Sequence, residues 1–157
     1  METRCTDERK RFFERFTNPV PTGELIELLD RVGVTRAMVA KATGAKSAEV
    51  VSNWVAGRSA PKPEHFERLD SLRVVVSFLL QTNALDDDGL AIAMWLNSYP
   101  AAAPFVDEKG RPAMTPLQAI RTGQIGAVVD AAQRWMDVRT AHRPDEAGNP
   151  DRGGIAW

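Results

Sequence analysis

Apolar residues recur at three- and four-residue steps along most of this chain, and this spacing constrains the fold more than any other feature. Residues 64–81 show it most clearly, with Phe66, Leu69, Leu72 and Leu79 separated by whole helical turns. A repeat near 3.6 residues places such side chains on one face of an α-helix. No stretch alternates strictly between apolar and polar residues, as a half-buried strand does. The sequence therefore predicts an all-α fold.

Proline, glycine and capping residues divide this pattern into separate helices. Thr35, Ser47 and Thr115 each precede an apolar-periodic segment at the N-cap position, and Pro116 is favourable at a first helical position. Three consecutive aspartates at residues 86–88 suit a helix N-terminus in the same way. The predicted helices span residues 7–16, 24–32, 36–43, 48–56, 64–81, 89–97, 116–121 and 124–138.

Composition bounds the class of protein. The 157 residues, of which 43% are apolar, have room for one domain or two small ones. Cys5 is the only cysteine, which excludes an intramolecular disulfide and a cysteine-based metal site and fits a reducing cytoplasm. No apolar run is long enough to span a membrane, and the charged N-terminal segment lacks the apolar core of a secretory signal. We therefore expect a cytoplasmic chain without a membrane partner.

Residues suited to catalysis are sparse. His65 and His142 are the only imidazole bases, and neither lies in a recognisable motif, so both are interpreted as solvated surface residues. The sequence contains no glycine-rich phosphate loop and no nucleophile elbow. The aspartates at 86–88 do not follow the spacing of an EF-hand. We expect a binding protein that is not an enzyme and holds no cofactor or metal.

Residues 36–56 have the pattern of a DNA-reading helix-turn-helix. Two short helices flank the small turn 44–46, and Val51 and Trp54 fall on the inward side of the second. The alternative is a plain helical bundle with short loops. In the DNA-reading interpretation, the side chains expected to meet bases or phosphates are Arg36, Lys46, Ser47, Ala48, Glu49, Ser52, Asn53 and Arg58.

The charge of this region limits its affinity for DNA. Residues 24–73 contain eight basic side chains against seven acidic ones, and the whole chain has a formal net charge of −1. Phosphate neutralisation supplies much of the affinity of a DNA-binding protein, so a nearly balanced surface predicts a modest reader. We therefore expect more than one copy on each operator, or a second contact surface.

Short motifs in both halves resemble one family. The stretch VSNWVAGRSAP is similar to the S-x-W-x-x-G-x-x-x-P sequence that closes the helix-turn-helix of the Xre/Cro family. The second half resembles the C-terminal domain of Xre/MbcA/ParS antitoxins, and together the resemblance covers residues 24–137. Its motifs, in chain order, are Trp95-Leu96-Asn97, Gly110-Arg111, Thr115-Pro116-Leu117 and Arg121-Thr122-Gly123.

The resemblance implies a type II antitoxin, with an arm at residues 1–22 and an Xre/Cro-like helix-turn-helix bundle at residues 23–82. A small helical toxin-binding domain at residues 83–138 and a flexible tail at residues 139–157 would follow. Operator DNA and a RES-domain toxin that degrades NAD would be the partners. The residues expected to contact the toxin are Trp95, Arg111, Thr115, Arg121, Arg139, Arg143 and Trp157.

Two other functions remain open on the sequence. In the first, the chain is a stand-alone repressor of the phage-immunity kind, and its C-terminal helices serve DNA binding or self-association. In the second, it is an adaptor whose helix-turn-helix no longer binds DNA. A homodimer is compatible with the antitoxin and the repressor alike. A toxin gene next to the gene for this chain would favour the antitoxin. The tail at residues 139–157 can be either a toxin-binding segment or an ordinary chain terminus.

Overall fold

The computed structural model describes residues 21–81 and 89–141 of the chain. These stretches form helices α1 (Thr22–Arg31), α2 (Arg36–Thr43), α3 (Ala48–Ala56), α4 (Pro63–Gln81), α5 (Gly89–Leu96), α6 (Pro116–Arg121) and α7 (Ile125–Ala141). They contain no strand, only an isolated antiparallel bridge between Val106 and Pro112. The all-α prediction is confirmed for this part of the chain. The predicted helix at 7–16, the aspartates at 86–88 and residues 142–157 lie outside the described residues.

The predicted helix bounds agree closely with those of the structure. Helices α2, α3 and α6 have the expected bounds, whereas α1 and α4 begin one or two residues early, at Thr22 and Pro63. Helix α7 continues to Ala141, so residues 139–141, which were expected to begin the flexible tail, are helical. Residues 138–143 contain no proline or glycine, so the local sequence gives no signal that would end the helix at residue 138.

Local capping explains why several helices begin and end where they do. The Thr35 hydroxyl accepts a hydrogen bond from the Met38 backbone N–H at 3.3 Å, as expected of an N-cap residue. Gly44 ends α2 with a φ of +89°, and Gly57 ends α3 with a φ of +77°. Both lie in the left-handed region, where a residue with a Cβ is strained. These two glycines therefore fix the lengths of the helix pair.

Buried apolar side chains from both halves of the chain form one cluster. Val39 and Leu72 lie in it beside Leu117 and Ile120, and all four are fully buried. Helix α2 is central, because it packs against α3 and α4 on the N-terminal side and against α6 from the C-terminal half. Helix α4 likewise contacts α7. The two halves therefore share a continuous core within the described stretches.

A few apolar side chains lie elsewhere than their periodicity suggests. Phe66 belongs to the apolar row of α4 but is 50% exposed. In α7, Met136 is buried, whereas the neighbouring Trp135 is half-buried. Within the described residues, no helix is both long and apolar enough to cross a bilayer.

Candidate functional site

Helix α3 is anchored by two inward side chains. Val51 is completely buried, and Trp54, one turn later on the same face, retains only 5% of its exposure. Helix α1 approaches α3 closely, since a Cβ on Gly23 would lie 3.2 Å from the carbonyl oxygen of Val55. The prediction that Val51 and Trp54 fix this helix is thus confirmed in its geometry. The opposite face of α3 remains at the surface.

The eight side chains predicted to meet DNA lie on this surface of α3 or at its flanks. Lys46, Ser47, Glu49 and Arg58 are exposed. The remaining four are half-buried, and they are Arg36, Ala48, Ser52 and Asn53. We call this set of eight residues the α3 surface. Its members come from the turn before α3, from the helix itself, from the loop after it and from the first residue of α2.

Hydrogen bonds connect four members of the α3 surface. The Arg36 guanidinium donates through Nη1 to the Ser52 hydroxyl at 2.9 Å, which ties the start of α2 to α3. The Arg58 Nη1 donates to the Asn53 side-chain oxygen at 3.3 Å. A guanidinium has five N–H donors, and the Asn53 amide keeps two donors of its own. These bonds therefore orient the side chains and leave donors for a ligand.

Ser47 differs from its prediction. It occupies the N-cap position of α3, but its side chain makes no cap hydrogen bond. Its φ of −162° is far more extended than the −73° of Thr35, whose hydroxyl does cap its helix. The first N–H groups of α3 are therefore not satisfied by this hydroxyl, and a helix N-terminus in that state attracts anions.

His65 is not the solvated side chain that the sequence suggested. It is half-buried, and its ring centroid lies 5.7 Å from that of Trp54 at an angle of 37°. The aromatic contact joins α4 to the inward face of α3, so this histidine helps to hold the helix in place. His142 lies outside the described residues.

Thr115, predicted to contact a partner, serves its own helix. Its hydroxyl accepts from the Gln118 backbone N–H at 3.2 Å, and the Gln118 side chain accepts from the Thr115 backbone N–H at 2.9 Å. This reciprocal pair is a complete capping box at the start of α6. The hydroxyl and the backbone N–H of Thr115 are thus both used in hydrogen bonds within the chain.

Replacing Thr115 with alanine is expected to lower the free energy of unfolding by about 1 kcal/mol, since one N–H of the first turn of α6 loses its acceptor. Urea denaturation followed by circular dichroism measures the change. Thr115→Ser is the matched control, because serine keeps the hydroxyl, and it is expected to retain most of the stability. Equal stability of the alanine and serine variants would contradict this role.

Arg111, another predicted partner residue, lies in a turn organised by Asp107. The Asp107 carboxylate accepts from the backbone N–H groups of Arg111 and Lys109 at 2.8 and 2.9 Å, and from the Arg111 guanidinium at 3.0 Å. The backbone N–H of Arg111 is the main cause that holds the pKa of Asp107 below its usual value. The Arg111 side chain remains 68% exposed, so it keeps donors for a ligand.

Trp95 lies in a surface groove between α5 and α7 that the sequence did not reveal. The indole is buried, with 6% of its surface exposed, and it stacks on the half-buried Trp135 with ring centroids 5.5 Å apart and planes 19° from parallel. The groove measures about 690 Å³, and its lining, which we call the apolar groove, includes the exposed Met94 and Val138 and the loop residues Pro100, Ala101 and Ala102. Helical spacing could not identify it, because it forms where two helices and a loop meet.

The remaining predicted partner residues do not converge on this groove. Arg121 lies at the turn between α2 and α3, where its Nε would be 3.5 Å from a Cβ on Gly44. The side chain of Arg139 and all of Arg143 and Trp157 lie outside the described residues. The four described members therefore occupy separate surroundings: a buried tryptophan pair, a loop turn, a capping box and the α2–α3 turn.

Comparison of the chain with known protein families, with curated proteins and with solved structures found no match. Among the described residues, no group of three or more His, Cys, Asp or Glu side chains is arranged to hold a metal ion.

Proposed function

We propose that this chain is an antitoxin that binds DNA through the α3 surface and a protein toxin through its C-terminal half. The observation that carries the proposal is the polar outward face of α3, on which Glu49 is exposed and Ser52 and Asn53 are half-buried. The buried Val51 and Trp54 on the opposite face hold this helix in place. A short helix after a tight glycine turn, with small polar side chains outward, matches the way a recognition helix enters the major groove.

The side chains of the α3 surface suit the chemistry of DNA. Asn53 carries an amide that can bond an adenine edge through both its acceptor and its donor, and Ser52 can bond either bases or phosphates. Lys46 and Arg58 flank the helix at exposed positions where phosphates pass. Glu49 is the one acidic member of the set and can accept from the amino group of a cytosine.

The toxin half of the proposal is supported by the apolar groove. Met94 is 64% exposed and Val138 is 57% exposed, and both border the stacked tryptophans. Aromatic side chains and methionine are enriched at protein interfaces, and exposed apolar side chains that cluster at one site mark interaction surfaces more often than single ones do. By the family resemblance, the partner would be a RES-domain toxin encoded beside this chain.

Met94→Lys is expected to weaken toxin binding at least about tenfold, because burial of a methionine side chain contributes about 1.5–3 kcal/mol. Co-expression with the neighbouring toxin measures this as lost rescue of growth, and titration calorimetry measures the affinity directly. Phe66→Lys is the matched control, since Phe66 is also an exposed large apolar residue but lies outside the groove. Equal rescue by both variants would place the toxin contact elsewhere.

The stand-alone repressor is the second hypothesis, and gene context separates the two. An antitoxin requires a toxin gene beside its own, and expression of that gene alone should arrest growth. A chain that represses its promoter without such a neighbour would be a repressor, and the apolar groove would then serve another partner.

A further inference from the structure

The turn between α2 and α3 is covered by side chains from outside the helix pair. A Cβ on Gly44 would lie 3.5 Å from Nε of Arg121 and 4.0 Å from Cδ2 of His65. Gly44 itself has no side chain, so the Arg121 side chain lies beside the space that a Cβ at this turn would occupy. An arginine of the C-terminal half thus reaches the element that introduces α3.

Arg121 is held at this place by several contacts of its own backbone and helix. The Arg68 Nε donates to the carbonyl oxygen of Arg121 at 2.9 Å, which joins α4 to the end of α6. Its neighbour Ile120 is fully buried, so the helix cannot turn freely. Arg68 also covers Gly123, where a Cβ would lie 3.4 Å from its Nη2. Two guanidinium groups therefore flank the C-terminal end of α6.

The two arginines differ in their pairing. The Arg68 Nη1 lies 3.1 Å from the Glu67 carboxylate, and the Arg68 side chain is 28% exposed. Arg121 is exposed, and within residues 21–81 and 89–141 it forms no ion pair. No carboxylate of the described residues therefore neutralises the positive charge of Arg121 beside the turn.

We propose that Arg121 contacts a DNA phosphate at the α2–α3 turn, with Arg68 as the residue that positions it. This inference rests on the proposed DNA binding by α3. The N-terminal residues of a recognition helix enter the groove, so the turn before them lies at the groove edge, where the phosphates run. Arg121 adds a cation from another part of the chain to a reading surface with a nearly balanced charge. This proposal replaces the sequence-based prediction that Arg121 contacts the toxin.

A gel-shift titration tests the proposal on a duplex that covers the DNA upstream of the chain's own gene, over a range of salt concentrations. Arg121→Ala is expected to weaken binding about tenfold and to reduce the slope of log K against log salt by about 0.9, as for the loss of one phosphate contact. Arg121→Lys keeps the positive charge, so its slope of log K against log salt is expected to equal that of the wild-type chain. Lys109→Ala is the control, because Lys109 is an exposed cation in the 107–111 turn, away from the α2–α3 turn.

The possible results separate the phosphate contact of Arg121 from DNA binding by α3. If the wild-type chain binds the duplex and Arg121→Ala has the same salt slope, the phosphate contact is overturned. DNA binding by α3 would then remain supported. A wild-type chain that does not shift the duplex at any salt concentration would overturn the proposed DNA binding and the phosphate contact together. A reduced slope in Arg121→Ala, restored in Arg121→Lys, supports the contact. A merely structural role would change affinity without this dependence on charge.

Discussion

A chain that carries both Asn53→Ala and Arg58→Ala is expected to lose sequence-specific binding to the DNA upstream of its own gene. Each direct contact to a base contributes about 1–3 kcal/mol of discrimination, and a charged contact to phosphate adds salt-dependent affinity. Loss of both contacts should therefore lower the affinity at least about 30-fold. A gel shift with a competitor duplex of scrambled sequence measures the change.

The fold should tolerate this double substitution. Asn53 is half-buried and Arg58 is exposed, and the bond between them is itself solvent-exposed. Removing both partners leaves no buried group without a hydrogen bond, so the cost to stability is small. Lys109→Ala is the control for a lost cation, because Lys109 lies in the exposed 107–111 turn instead of the α3 surface. A double variant that shifts the duplex like the wild-type chain would contradict the assignment of the α3 surface.

Ile120→Ala is expected to lower the free energy of unfolding by about 2–5 kcal/mol, a large part of the roughly 5–15 kcal/mol that a domain has in total. Ile120 is fully buried in α6, which packs directly on α2. The alanine variant leaves a cavity at the junction between the two halves of the chain. Urea denaturation measures the loss, and Met94→Ala serves as the control because Met94 is 64% exposed.

The same experiment tests whether the two halves unfold as one unit. Trp54 reports on the N-terminal half and the stacked pair of Trp95 and Trp135 on the C-terminal half. In variants that lack Trp157 and retain only one of these two reporters, we expect coincident transitions, and Ile120→Ala should move both. Two separate transitions, with only the C-terminal one moved, would show that residues 21–81 fold independently and that the shared core contributes little to them.

Much of the fold could be predicted because its signals are local. Thr115 and Gln118 cap the start of α6 through two reciprocal hydrogen bonds, so four consecutive residues contain the whole interaction. Val51 and Trp54 lie three residues apart on one helix face, and the periodicity alone places them together. The members of the α3 surface that lie on α3 itself could be predicted for the same reason, since they form the complement of that inward face.

Other features of the site depend on which helices and loops pack against one another. Gly44 and Arg121 are far apart in the chain, and nothing in either motif indicates that they touch. The apolar groove depends on the packing of α5, α7 and the loop at residues 98–102, and so does the exposure of Met94. Ser47 has the residue type of an N-cap, yet its backbone conformation leaves the hydroxyl without a cap hydrogen bond.

The sequence by itself determined the described helices, most of their ends to within two residues, and the outward face of α3, because capping and periodicity act within a few residues. The tertiary structure alone decided that the two halves share a core, that Arg121 reaches the α2–α3 turn and that a groove opens beside Trp95. Those features arise from contacts between residues distant in the chain, and the free energy of such contacts depends on how whole helix faces fit together.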